Sequence, residues 1–162
     1  MLWSEVDFGL IQQEHTKNGR QKIMYNGKPF RFQMPEGFCI GGLTEYNSIN
    51  IQIDDPDFID WYSRLEEHIG APEPFSSNLG ETFRFKFDEF TQVFDHERKL
   101  CLAPYLNGRR VKCIIEVSGV YFFKDVYGLT CRVYQMMYWP NECLFSLLPP
   151  SSSDNNDELQ PV

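Results

Sequence analysis

The sequence predicts a β-rich α+β protein: short antiparallel strands forming a small barrel, one α-helix at about 56–69, and a disordered C-terminal tail. Three observations carry that expectation. Short segments alternate apolar and polar side chains with the period of a strand. One stretch, 54–70, shows a helical period instead. Residues 149–162, PPSSSDNNDELQPV, show neither period.

Taken in order, residues 1–16 read as a weak strand or arm, followed by a turn signal at Asn18-Gly19. The stretch QKIMYNGKPFRFQMP places two short strands around Asn26-Gly27, a strong short-range hairpin signal. Pro29 and Pro35 bracket the second strand and put it near a sheet edge or end. SINIQID then sets Ile49, Ile51 and Ile53 on one face against Asn50 and Gln52. In DDPDFIDWYSRLEEHIG, Asp54 or Asp55 can cap the helix, Pro56 suits its first turn and Gly70 can end it. Phe58, Trp61, Tyr62, Leu65 and Ile69 make an amphipathic stripe on it. Residues 71–81 form a loop. TFRFKF puts Phe83, Phe85 and Phe87 one way and Arg84 and Lys86 the other, and TQVFD follows as a short strand before a turn at HERK. A strand with Val111, Cys113, Ile115 and Val117 on one face then leads to a turn at 124–128 and a last strand, LTCRVYQMMYW. Short antiparallel strands with one helix among them fit a barrel of the OB type or a partly open sheet. The domain is expected to span 1–148, with 149–162 as a weakly acidic tail.

At 162 residues the chain is long enough to bury a core without staples. Its 15% aromatic content is high, and Phe and Tyr supply nearly all of it. No run is apolar enough for a spanning helix and no signal peptide is visible, so neither membrane nor secretion is expected. Five cysteines, odd in number and scattered, read as reduced thiols of an intracellular protein. The formal charge is −8, and about −5 once the three tail acids are left out. That balance argues at first against a nucleic-acid partner. The bases, however, are grouped away from the acidic helix.

Chemistry for catalysis is missing from the pattern. There is no phosphate-cradling G-x-x-x-x-G-K-[ST], no G-x-S-x-G and no H-E-x-x-H. The cysteines lack zinc spacing, and His15, His68 and His96 are far apart. Helix capping explains Asp54, Asp55 and Asp57 better than magnesium binding does. No enzyme, metal or cofactor is expected. Cys113 and Cys131 read as small core groups.

What the faces do offer is cations opposite apolar sides on four strands: Arg31 against Phe30 and Phe32, Arg84 and Lys86 against the phenylalanines, Arg110 and Lys112 against Val111 and Cys113, and Arg132 on the last strand. On 129–139, strict alternation puts Leu129, Cys131, Val133, Gln135, Met137 and Trp139 on one side, and Thr130, Arg132, Tyr134, Met136 and Tyr138 on the other. Cations follow phosphates and rings stack on bases of any identity, which suits single-stranded nucleic acid. Any antiparallel sheet with one wet face makes the same alternation, so this pattern alone leaves the function open.

Three stretches, PFRFQMP at 29–35, the Ile49-to-Leu65 passage and VKCIIEVSGVYFFKDVYGLTCRVYQ at 111–135, resemble replicative single-stranded DNA-binding proteins of large double-stranded DNA viruses. The resemblance implies an OB-like barrel that coats single-stranded DNA during viral replication, in the host nucleus or a cytoplasmic replication site. The tail looks like those of bacterial and phage single-strand binders, with Asp154, Asp157 and Glu158 recruiting replication proteins. On face and chemistry, Lys28, Arg31, Arg84, Lys86, Arg110, Lys112 and Arg132 are the candidate phosphate ligands. Tyr134 and Tyr138, with Tyr121 and Phe122, are the candidate stacking rings. The rival reading is a protein-interaction module, a homo-oligomer or adaptor that uses the same barrel without nucleic acid.

Overall fold

The computed structural model describes residues 1–16, 21–70, 78–79, 81–102, 104–123 and 126–140, with backbone alone at 78–79, 122–123 and 126–127. Two 3₁₀ turns, Trp3–Glu5 and Phe8–Leu10, lead into β1 (Ile11–His15). Then come β2 (Gln21–Tyr25), β3 (Lys28–Gln33), β4 (Gly37–Leu43), β5 (Ser48–Gln52), α1 (Pro56–Ile69), β6 (Asn78–Leu79), β7 (Thr82–Lys86), β8 (Gln92–Phe94), β9 (Arg110–Phe123) and β10 (Val126–Tyr138).

Five of these strands close into a ring. β4 pairs with β5, β5 with β7, β7 in parallel with β10, β10 with β9, and β9 back with β4 through Gly37↔Val111 and Phe38↔Arg110. The chain is therefore a mainly β, OB-like barrel with one helix, as the alternation predicts. β3 lies on the same edge of β9 as β4, from Phe30↔Val117 to Gln33↔Ile114. Residues 28–43 thus act as one strand interrupted at 34–36, where Pro35 has no N–H for the ladder. The β2–β3 hairpin turns on Asn26 and Gly27, both at positive φ (48° and 78°), the backbone a two-residue turn of this hand demands.

The aromatic excess goes mostly inside. Ile49, Ile51, Phe83, Phe85, Val111, Ile115, Val117 and Val133 line the barrel, each almost fully buried. The stripe on α1 packs onto Phe32 of β3 and Phe83 of β7, through Trp61–Phe32 (5.0 Å) and Phe58–Phe83 (5.4 Å), both edge-on. Tyr62 reaches Cys131 of β10, Oη to Sγ 3.5 Å. Contacts with three separate strands set the helix across one end of the barrel. Trp3 closes over Phe58 and Trp61 from outside at 5.4 and 5.5 Å, so the amino-terminal arm seals the plug. Burying each such phenylalanine contributes about 1.5–3 kcal/mol. Asp55 caps α1, its carboxylate accepting from the N–H groups of Asp57 and Phe58, and Gly70 ends it at φ 78°. Cys113 and Cys131 pack as apolar groups; burial drives both thiols above their ordinary range, Cys131 to about 12.

Four expectations change. EGFCIGG, loop-like in sequence, is most of β4, because β5 and β9 take up its backbone groups. Asn78–Leu79, inside the loop expected at 71–81, pairs with β7 as β6. The turn expected at 124–128 is shorter, because β9 continues to Phe123 and β10 begins at Val126. Strict alternation on β10 also fails. Val133 pairs with Ile115 and Gln135 with Ile114, leaving Tyr134 as an extra residue. A bulge of this kind inverts the facing of everything beyond it. Met136 is therefore buried, and Tyr138 turns toward the core. Gln135, Met137 and Trp139 move to the outer face.

Candidate nucleic-acid interface

Strand register places one row of side chains across five strands on the outside of the barrel. Ser48 pairs with Lys86, Lys86 with Arg132, Arg132 with Glu116, and Glu116 with Arg31. Charges alternate along it. Arg31 Nε donates to Glu116 Oε2 at 2.6 Å, and Arg132 Nε reaches Glu116 Oε1 at 3.5 Å. Arg132 Nη1 lies 3.1 Å from Asp88 Oδ1, and Lys86 Nζ lies 4.0 Å from Asp88 Oδ2. The Arg31 guanidinium carbon sits 3.7 Å from the centroid of the Tyr134 ring, so one face of that ring is already occupied. Three cations against two carboxylates leave the row slightly positive and well ordered.

Beside this row is a groove of about 460 Å³. Its walls are Tyr46 and Ser48 from the β4–β5 side, Arg84 and Lys86 of β7, Tyr121 of β9 and Thr130 of β10; Phe85, Leu129 and Cys131 form the floor. No acidic side chain lines it, on a chain whose formal charge is −8. Tyr46 is 81% exposed and Tyr121 41%. The β4–β5 connection holds Tyr46 through Thr44, whose Oγ1 accepts from the N–H groups of Tyr46 (3.2 Å) and Ser48 (3.3 Å). Arg84 Nε donates to Asn50 Oδ1 on the neighbouring strand at 3.2 Å, which orients the guanidinium without neutralising it. Tyr121 lies opposite Gly128, and a β-carbon at Gly128 would overlap the Tyr121 ring. The glycine is the seat on which the ring rests. Burial, helped by the nearby Cys131 and Glu66, raises the Tyr121 pKa, so the phenol stays neutral. Such a surface offers rings for stacking and cations for an anionic backbone, with no carboxylate in its lining.

The expected site residues divide accordingly. Arg84, Lys86 and Tyr121 share the groove, and Arg31, Arg132 and Tyr134 adjoin it through the row. Arg110 and Lys112 stand at the opposite end of β9 beside Trp139, with Arg110 Nε 2.8 Å from Glu36. Two of the expected residues stand apart from both the groove and the row. Lys28 has the strand phase of Phe30 and Phe32, opposite to Arg31, and so does not share the row. Tyr138 packs against the core with its hydroxyl 3.5 Å from Cys101 Sγ, because of the bulge, and is not a free stacking ring. The Phe122 side chain and the tail residues Asp154, Asp157 and Glu158 lie outside the described residues. Sequence reasoning missed Tyr46, whose signal was a lone ring in a polar turn, T-E-Y-N-S, between two strands. Among the described residues, no group of three or more His, Cys, Asp or Glu could hold a metal, and no helix is long and apolar enough to cross a membrane.

No protein-family model and no curated protein matches this chain. Solved structures do. The chain is similar to the single-stranded DNA-binding protein of bacteriophage Enc34, with a TM-score of 0.52 at 9% identity over 89% of this chain and 99% of that one. A C-terminal truncation of the same phage protein gives a TM-score of 0.53 at 10% identity, over 82% of this chain and 97% of that one. Its complex with single-stranded DNA gives 0.51 at 10%, over 83% and 97%. At such identity the likeness shows a shared fold.

Proposed function

We propose that this protein is a non-enzymatic binder of single-stranded DNA, indifferent to sequence, which coats the strand during replication of a viral genome inside the host cell. The acid-free groove bearing Tyr46, Arg84, Lys86 and Tyr121 carries the reading. It occupies the face of the second and third barrel strands, β5 and β7, and the neighbouring loop, where barrels of this type take oligonucleotides. The solved structures of one phage protein that shares the fold, one of them in complex with single-stranded DNA, support it. The tail acids Asp154, Asp157 and Glu158 would recruit replication proteins and compete with DNA for the basic surface.

Fluorescence anisotropy with labelled oligonucleotides tests the reading. Single strands should bind in preference to duplex, with little dependence on base sequence and a steep loss with salt. Tyr46→Ala and Tyr121→Ala should each weaken binding by about 1–3 kcal/mol at unchanged salt slope, whereas Arg84→Ala should lower the slope by about 0.7. Truncation before Asp154 should leave affinity equal or higher. A flat titration at low salt overturns the proposal.

A specific observation favours a second reading, a protein-interaction module. Phe90, Leu100, Leu102 and Tyr105 are 69%, 57%, 91% and 67% exposed on the connections that flank β8. Exposed apolar clusters mark protein contacts. Sedimentation showing a concentration-dependent dimer, together with no DNA binding, would favour it over the first.

A further inference from the structure

The groove accounts for one end of the β9–β10 ribbon and leaves the other unused. Beyond the Arg132–Glu116 pair, the outward residues of β9 are Ile114, Lys112 and Arg110, and their β10 neighbours are Gln135, Met137 and Trp139. Trp139 joins this face only because the bulge at Tyr134 inverts the facing of the strand end; its N–H donates to the Arg110 carbonyl at 3.0 Å. At about 3.3 Å per residue, Arg110 stands about 20 Å along the strand from Glu116. Between them the strip is amide and apolar. Gln135 Nε2 donates to Gln92 Oε1 at 2.9 Å, Gln33 flanks Ile114, and a dent of about 140 Å³ opens among Ile114, Gln135, Met137 and Phe94. None of the residues lining that dent is acidic.

At the far end stands an indole with two cations over its ring. Arg110 Cζ is 5.1 Å and Lys112 Nζ 5.8 Å from the Trp139 ring. Arg110 is shared with Glu36, while Lys112 has no carboxylate partner among the described residues. A ring flanked by cations repeats the chemistry of the groove, a base on the π-face and a phosphate on the charge. Large contiguous apolar patches mark protein contacts, and here the apolar side chains are interleaved with glutamines and a lysine.

We propose that Trp139 and Lys112, assisted by Arg110, form a second contact point for single-stranded DNA, joined to the groove by the outer face of β9 and β10. It is reached only by strands long enough to cross the strip. This rests on the groove reading above, and the experiment separates the two. Binding of (dT)5 and (dT)16, toward the two ends of the range of about 4–16 nucleotides covered per barrel, is measured by anisotropy at fixed low salt. The variants are Trp139→Ala, Trp139→Phe and Lys112→Gln in the full chain, each checked for an unchanged urea midpoint.

Trp139→Ala should weaken (dT)16 at least about fivefold, the low end of one lost stack, and leave (dT)5 unchanged. Trp139→Phe should recover most of the loss, and Lys112→Gln should lower the salt slope for (dT)16 alone by about 0.7. Wild-type affinity of Trp139→Ala for both lengths overturns the second contact while the groove stands. Equal losses at both lengths also overturn it, since the indole would then belong to the first site. Failure of the unmodified protein to bind either oligonucleotide overturns the groove reading itself, and this proposal with it. Loss of self-association by Trp139→Ala with intact (dT)16 binding would reassign the patch to a protein contact.

Discussion

Replacing Glu116 with Gln should make the protein bind single-stranded DNA more tightly while folding less stably. Glu116 is the carboxylate between Arg31 and Arg132, held at 2.6 and 3.5 Å, in the row that borders the groove. With it, three cations face two acids; without it, they face only Asp88. A phosphate about 6 Å from the lost carboxylate escapes a repulsion of about 0.7 kcal/mol at water-like dielectric, close to threefold in affinity. One more cation free to displace a counterion steepens the salt slope by about 0.7, which widens the affinity ratio between 50 and 200 mM salt by a further factor of about 2.6. Stability should fall by about 1–2 kcal/mol, because a charge-assisted hydrogen bond is lost in a partly buried setting where the amide still accepts weakly. Anisotropy across that salt range and a urea titration measure both quantities. A purely structural ion pair would lower stability and leave binding alone. Unchanged or weaker affinity at an unchanged slope would therefore refute the reasoning.

Four further outcomes are expected. Gly128→Val should displace the Tyr121 ring from its seat and weaken DNA binding about as much as Tyr121→Ala, at a stability cost of about 1–3 kcal/mol for the overpacked pair. Phe58→Ala should destabilise by about 3–5 kcal/mol in urea, since its ring bridges Trp3, Trp61 and Phe83 at the plugged end of the barrel. The buried thiols of Cys113 and Cys131 should resist a thiol reagent that, among the described cysteines, meets the half-buried Cys101 first. Their folded pKa values are raised, so the fold holds its protons more tightly than the unfolded chain does. Stability should be complete below pH 9 and decline as pH climbs from there toward the folded value of about 12 for Cys131, which urea titrations across that range would follow.

Much of this architecture is written in local chemistry. The helix was legible because Asp55, Pro56, the Phe58-to-Ile69 stripe and Gly70 each act within a turn or two of their own position. The β2–β3 hairpin was legible for the same reason: Asn26 and Gly27 tolerate positive φ, and little else does. Alternation also identified the inward phenylalanines of β7 and the outward Arg84 and Lys86 without help from any partner strand.

The site was only half legible. Residue type and phase could name Arg31, Arg84, Lys86, Tyr121, Arg132 and Tyr134, but not who stands beside whom. Register across five strands decides that Lys86, Arg132, Glu116 and Arg31 form one row, because pairing joins residues up to 85 positions apart. It also shows that most of these cations already have carboxylate neighbours. The exchange of Tyr138 for Trp139 on the outer face came from a single extra residue in β10. Side-chain facing has a period of two and no memory beyond the last bulge, so one unpaired residue inverts all that follows. Tyr46 counts for the groove only because barrel closure brings its loop to the end of β9. Sequence alone determined the helix, the β2–β3 hairpin and the inward faces of the strands up to the bulge in β10, through forces that act over a few residues. The composition of the groove depended on strand register and ring closure, which are settled by long-range pairing across the whole chain.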